Sequence, residues 1–433
     1  MLNVGVIPHR HFFPADSAEQ KLFLLLKLRP TREVSDSRPP TSFSFVIDTS
    51  GSMDEVVVRG KTKRAIVIES LLEIARSNRL TDNDRVSLIR FDDRASTLLN
   101  LTAGTKTGDI EKAIEHLNDF SGGTRMGLAM KEALSLLDNG EMTNRRVLIF
   151  TDGETFDEWD CRNLSEQFAR CGIPITALGV GDEYNEDLLL DISDKTSGHR
   201  YHIGHQIAID KLPETLFEEV QQAQKEVINN LALTVKTVKG VELVRLTRIY
   251  PDQAELDIKQ DPYPIGAAQS NDDTIFVLEF NLDARPVSRM RIARLGLTYD
   301  VPGLNKRGEL TPQDVIIEFI QGAAAQINPE VMNYVQQRNV SHLINEATRV
   351  VDQNPEQAQK LLEAAKSMTL KIGNQEIIGL IDQGIDEVRK TRKISDGTRK
   401  TVKMGAKGKT VKMDSDDIDQ YLSEENIRKL SGT

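Results

Sequence analysis

Cysteine is almost absent from this chain of 433 residues: only Cys161 and Cys171 occur. Two thiols cannot build a disulfide framework, and the expectation is a reducing, cytoplasmic setting. Long apolar runs are missing too. Leu22 to Leu26 is the longest block, and Lys27 ends it far short of the ~20 residues that a membrane-spanning helix needs. The start, MLNVGVIPHRHFFPADSAEQ, has no basic region leading into an apolar stretch, so it does not read as a secretory signal. Aromatics are scarce, with one Trp, 7 Tyr and 14 Phe. A general excess of base is lacking as well: the net charge is -11, which makes nucleic-acid binding by the whole molecule unlikely on charge grounds.

The patterning that is present divides the chain. From Ser42 to about 228 short apolar strands alternate with amphipathic helices. Phe43–Asp48, Arg85–Phe91, Ser96–Leu101, Arg146–Thr151, Ile175–Val180 and Arg200–Ile203 read as strands, and FVID and VLIF are apolar on both faces, as buried parallel strands are. The spacing predicts a doubly wound α/β domain with a mostly parallel sheet over 42–228, closed by a helix from Pro213. Residues 229–322 alternate without long helices and predict a β-sandwich-like module. The strand-like LFLLLKL has no place in the α/β rhythm, so residues 1–41 are expected to pair with that module across an inserted domain. Asn328-Pro329 and Asn354-Pro355 open helices in a small helical domain over 323–392. The remainder, 393–433, reads as a flexible tail: Arg389 to Lys412 holds ten Lys or Arg against Asp396 alone, and acids follow from Asp414.

Chemistry concentrates where apolar strands end. FVID runs into Asp48-Thr49-Ser50-Gly51-Ser52, VLIFT runs into Asp152-Gly153-Glu154, and Ser121-Gly122-Gly123-Thr124 lies between them. Ligands of open α/β sheets bind at such carboxyl ends. Every candidate donor is a hard oxygen, which suits Mg²⁺, with Mn²⁺ or Ca²⁺ as substitutes.

On these residues the chain resembles the von Willebrand factor A (VWA) family. The DxSxS motif is Asp48, Ser50 and Ser52, the separate threonine is Thr124, and the distal aspartate is Asp152. The resemblance implies an intact metal-ion-dependent adhesion site: the three hydroxyls hold the ion directly or through water, the aspartates set its charge, and an Asp or Glu of a partner protein completes its shell. The wider layout resembles bacterial intracellular proteins that join such a domain to a β-sandwich and a helical segment. A metal-dependent protein-interaction scaffold, not an enzyme, is the expectation. No Ser-His-Asp or Cys-His arrangement is legible, and Ser50 stands where an aspartyl phosphotransfer enzyme places its second acid. A metal-dependent hydrolase is the weaker alternative.

Two other features stand outside this site. His199, His202 and His205 are spaced three apart, and strand geometry would turn successive ones to opposite faces, so structural histidines are expected. In the tail, Lys400-Thr401-Val402-Lys403-Met404 and Lys409-Thr410-Val411-Lys412-Met413 repeat. They resemble phosphothreonine peptides read by forkhead-associated (FHA) domains. That implies a signalling adaptor in which a Ser/Thr kinase acts on Thr398, Thr401 or Thr410.

Overall fold

The computed structural model describes all residues except 59, 182, 204–210, 260, 323–325, 409 and 413–433. Its central sheet has the order Arg200–Ile203, Ile175–Val180, Asn144–Thr151, Thr41–Asp48, Arg85–Phe91, Ala95–Ala103. Neighbours run parallel except the last pair, which is an antiparallel hairpin. Every residue of Thr41–Asp48 is buried, because both faces of this strand are covered. Its side chains alternate as the pleat requires. Phe43, Phe45 and Ile47 pack with Leu148 and Phe150 under the helices Lys63–Arg76 and Leu212–Lys225. Val46 packs on the other side with Ile149, under Met126–Leu137, Glu158–Arg170 and Glu186–Thr196.

The β module consists of two five-stranded sheets sharing one core. The first includes the N-terminal strand Gln20–Pro30, antiparallel to Thr274–Leu282, with Leu24 opposite Leu278 and Leu22 opposite Phe280. This is the pairing expected of LFLLLKL. The second is dominated by two long strands, Ser288–Val301 and Lys306–Ile320. The central sheet and its helices lie in sequence between Pro30 and Glu226, so the α/β unit is an insertion.

Helix Pro329–Val350 starts at Asn328, whose side chain accepts from Val331 N at 3.2 Å, and Pro355–Ile372 starts at Asn354 in the same way. Val331, Met332, Tyr334 and Val335 cover Leu25, Ile249, Ile275 and Val277 of the first β sheet. Gln375–Thr391 continues the bundle.

The expected flexible tail from 393 requires correction. Asp396–Gly408 is a helix, and the acids that answer its positive charge lie about two hundred residues earlier. Val402 and Ala406 enter the helical core, and Met404 enters the core of the α/β unit. Lys403 Nζ stands 2.9 Å from both Glu186 and Asp187, Lys407 reaches Asp194 at 2.6 Å, and Arg399 reaches Glu186 at 3.0 Å. Lys400 donates to the Tyr184 carbonyl at 2.8 Å and lies over that ring. Positions 400, 403 and 407 share one helix face, so the basic block is a docking stripe. The acidic remainder from 414 lies outside the described residues. No helix among the described residues is long and apolar enough to cross a membrane.

Candidate functional site

Strand Thr41–Asp48 delivers Asp48 to the carboxyl edge of the sheet, and a 3-10 turn over Gly51–Asp54 folds the next hydroxyls back beside it. Asp48 Oδ1 accepts from Ser50 N at 2.8 Å, and Oδ2 accepts from Thr151 Oγ1 at 2.7 Å. Ser50 Oγ and Ser52 Oγ are 3.0 Å apart, and Ser52 donates to Asp152 Oδ1 at 2.7 Å. Thr124 faces the same space: a Cβ placed on Gly153 would lie 3.8 Å from Ser52 Oγ and 3.9 Å from Thr124 Oγ1. Gly153 therefore leaves open a small cradle walled by these hydroxyls.

The loop carrying Thr124 is pinned from two sides. Gly123 N donates to Asp93 Oδ2 at 3.0 Å, and a Cβ on Gly123 would fall 2.5 Å from Asp93 Oδ1. Only glycine lets that carboxylate approach. On the other side Thr124 O accepts from Phe156 N at 3.0 Å and from Thr155 Oγ1 at 3.2 Å. Asp92, beside Asp93, is buried and pairs with Arg90 at 2.7 Å. These two acids are structural braces, a role that solvated loop residues would not fill.

Two cations complete the site and were missed in the sequence. Lys63 Nζ stands 2.8 Å from Asp152 Oδ2 and 2.6 Å from Glu55, with its side chain almost wholly buried. Burial alone would lower its pKa, but the hydrogen bonds to Asp152 and Glu55 prevail and raise it. Arg64 donates to the carbonyls of Phe120, Thr49 and Ser50 and to Asp54, tying the DxSxS turn to the Ser121 loop. A signal for both was present: adjacent cations open helix Lys63–Arg76 with no acid in its first turn. That is the wrong sign for a helix N-terminus unless carboxylates wait nearby.

The electrostatic balance is incomplete. Burial pushes the Asp48 carboxyl up to about 6 despite its hydrogen bonds with Ser50 and Thr151, and the charge of Asp152 adds to the rise. Two buried carboxylates, two serines and a threonine converge, and Lys63 is the buried ammonium among them. The donor set is one of hard oxygens only, which fits a divalent cation of the Mg²⁺ type.

The other sequence candidates fall elsewhere. His199 bonds Glu219 at 2.7 Å and His202 bonds the Tyr184 hydroxyl at 2.7 Å, so both have structural partners, while His205 lies outside the described residues. Among the described residues no group of three or more His, Cys, Asp or Glu is arranged to hold a metal. Cys161 and Cys171 are both free thiols. The tail threonines sit on the docked segment: Thr398 caps with Ser395 at 3.0 Å, Thr401 is half-buried in the last helix, and Thr410 bonds the Pro251 carbonyl.

Comparison with known proteins bears on the fold and its domains. The von Willebrand factor type A domain profile matches residues 44–215, and that of the Sll0103-like C-terminal alpha-helical domain matches 329–412, taking in the last helix. Protein sll0103 of Synechocystis is 22% identical over 387 residues, covering 86% of this chain and 89% of the relative. YfbK of Escherichia coli is 25% identical over 235 residues, 52% of this chain and 38% of YfbK. Two solved structures share the fold along nearly the whole chain. A von Willebrand factor type A protein from Catenulispora acidiphila superposes with a TM-score of 0.78 at 16% identity, covering 95% of this chain and 97% of that one. The ArnB paralog VWA2 from Sulfolobus acidocaldarius gives 0.63 at 17%, covering 95% and 100%. The chain thus carries a von Willebrand factor type A domain, set against a β module and followed by an Sll0103-like C-terminal alpha-helical domain.

Proposed function

We propose that this protein is a metal-dependent interaction scaffold: Asp48, Ser50, Ser52, Thr124 and Asp152 hold one Mg²⁺, or Mn²⁺ or Ca²⁺ in its place, and the ion binds an Asp or Glu of a partner protein. The observation that carries the reading is the convergence of three hydroxyls and two buried carboxylates on the cradle at Gly153. VWA domains often mediate metal-dependent protein interactions, which supports carrying the role to this chain. When bound, the ion supplies a Lewis-acidic position for an outside carboxylate. The chain's own residues orient that position. Thr151 and Ser50 N fix both oxygens of Asp48, and Lys63 and Ser52 fix both oxygens of Asp152. The role is binding, not catalysis, and the two free thiols accord with a cytoplasmic setting.

Signalling through Thr398, Thr401 or Thr410, with a kinase and an FHA-domain reader, is compatible only with release of the docked helix, since Thr401 and Thr410 are half-buried there. The scaffold reading is therefore preferred. Asp48→Ala tests it. The wild-type chain should gain thermal stability on addition of Mg²⁺ and lose the gain with EDTA, whereas the variant should show neither response. An equal Mg²⁺ response in the variant would overturn the assignment.

A further inference from the structure

The edge of the proposed metal site is apolar where a surface would ordinarily be polar. Phe156 and Trp159 are 76% and 75% exposed, the most exposed large apolar side chains among the described residues. Trp159 is also the chain's single tryptophan. The two stand four and seven residues after Asp152. The Phe156 ring lies over the Thr124 loop: a Cβ on Gly123 would stand 3.1 Å from its Cε2. Leu128, also exposed, is in the first turn of Met126–Leu137 beside Gly127, which faces Asp157 and Asp160 at the start of the Trp159 helix. Val56, 61% exposed, is four residues after Ser52 and follows Glu55, which pairs with Lys63 beside Asp152. The remaining exposed large apolar residues, Met1, Phe12, Val287, Ile316 and Leu370, are scattered over the β module and the helical bundle.

Exposed aromatics are costly in water and are enriched where interfaces concentrate their binding energy. Around them acids outnumber bases: Glu154 and Asp160 are exposed, Asp54 is paired with Arg64 and Glu158 with Arg162, and Arg125 is the exposed base beside Thr124. Lys63 and Arg64 are held by Asp152 and Asp54, so an ion at the cradle would add a solvent-facing positive centre among exposed acids and apolar rings. Such a surface attracts one well-placed carboxylate and repels a string of them.

We propose that Phe156 and Trp159, with Leu128 and Val56, form an apolar rim that selects the partner of the metal site. The partner is a different protein whose metal-binding Asp or Glu is immediately flanked by a large apolar side chain, in a segment poor in further acids. This rests on the metal-handle reading above and adds what surrounds the carboxylate. The ion supplies the anchor, and the rim removes the flanking apolar group from water.

Small carboxylates read the two parts separately. The full-length chain in Mg²⁺ is titrated by ligand-observed NMR with acetate and with 3-phenylpropionate, for the wild type and for the double variant Phe156→Ser, Trp159→Ser. Both substitutions replace exposed side chains, and a Mg²⁺ titration of each protein verifies that the ion site is intact. The expected result is at least tenfold tighter binding of 3-phenylpropionate in the wild type, falling to within twofold of acetate in the variant, with acetate and Mg²⁺ affinities unchanged. EDTA should abolish binding of both. Equal binding of the two ligands to the wild type, or an advantage that survives in the variant, would overturn the rim and leave the metal handle standing. Failure of either carboxylate to bind in Mg²⁺ would instead remove the handle, and the rim with it. Sedimentation of the same samples covers another occupant. Mg²⁺-dependent dimerisation lost in the double variant would seat a second copy on the rim and overturn the assignment to a different protein.

Discussion

Strand Asn144–Thr151 carries a buried charge near one end and hands over to another at the opposite end, and the two are treated differently. At the amino end the Arg146 guanidinium, one of the largest fully buried side chains, pairs with Glu226. Glu219 close by accepts from Thr176 at 2.7 Å, bonds His199 and takes the Tyr201 hydroxyl. Burial would raise the Glu219 carboxyl, yet the charge and hydrogen bond of His199, with Arg146 and Tyr201, hold it down to about 2. At the carboxyl end Asp152 shares one ammonium, and Asp48 is pushed up to about 6. Buried carboxylates in one domain therefore settle on opposite sides of their ordinary value. Where the protein supplies the counter-charge itself, the cluster is a structural joint; where it stops short, the cluster is the one proposed above to take a cation.

Substitutions should break that contrast unevenly. The largest effect is expected for Arg146→Met, which strands Glu226 and weakens the hold on Glu219: roughly 3–5 kcal/mol of stability should be lost in urea unfolding, as for other half-removed buried ion pairs. Asp48→Asn at the other end should move the stability of the metal-free chain by no more than about 1 kcal/mol, because it removes a poorly compensated charge at the cost of one acceptor. A loss comparable to that of Arg146→Met would erase the distinction between the two ends.

A middle-sized effect is expected at Lys63. Its ammonium repels any ion that shares Asp152, so Lys63→Met should tighten Mg²⁺ about tenfold by calorimetry, the scale expected of one unit charge several ångströms away in a partly screened site. Weaker binding would show instead that its hold on Asp152 outweighs its repulsion of the ion.

His9 in the β module supplies a smaller, pH-dependent effect. Burial and the nearby Arg10 lower its pKa to about 3 from the ordinary 6.5, while its ring accepts from Phe23 N at 3.0 Å. The folded form resists the proton that the unfolded chain takes up. The stability His9 contributes is thus complete above about pH 6.5 and drains away as pH falls toward 3. Between pH 7 and 4.5 the loss should be roughly 3 kcal/mol at ~1.4 per pH unit below 6.5, and His9→Gln should flatten that part of the profile. An unchanged slope in the variant would place the sensitivity elsewhere.

Much of the α/β unit was legible because strands such as Thr41–Asp48 are apolar on both faces and end on the residues that matter, so sheet and candidate site announce each other. The pairing of LFLLLKL with the β module followed from its having no role in the α/β rhythm. The last helix was not legible. A window from Arg389 to Lys412 sets ten bases against Asp396 alone, and nothing local tells that Glu186, Asp187 and Asp194 lie against it. Lys63 was overlooked for the same physical reason. Its partners Glu55 and Asp152 come from different loops, and the anomaly of two cations at a helix start gains meaning only beside them. Local periodicity reports burial well, whereas charge compensation across the fold is a long-range property.

On the reading proposed above, Asp48, Ser50, Ser52, Thr124 and Asp152 at the carboxyl edge take up one divalent ion. Titration of the full chain with Mn²⁺, followed by electron paramagnetic resonance and competed with Mg²⁺, tests it most directly. One displaceable ion per chain is expected, lost in both Thr124→Val and Asp152→Asn. Absence of bound Mn²⁺ in the wild type, or an ion retained equally in both variants, would contradict it.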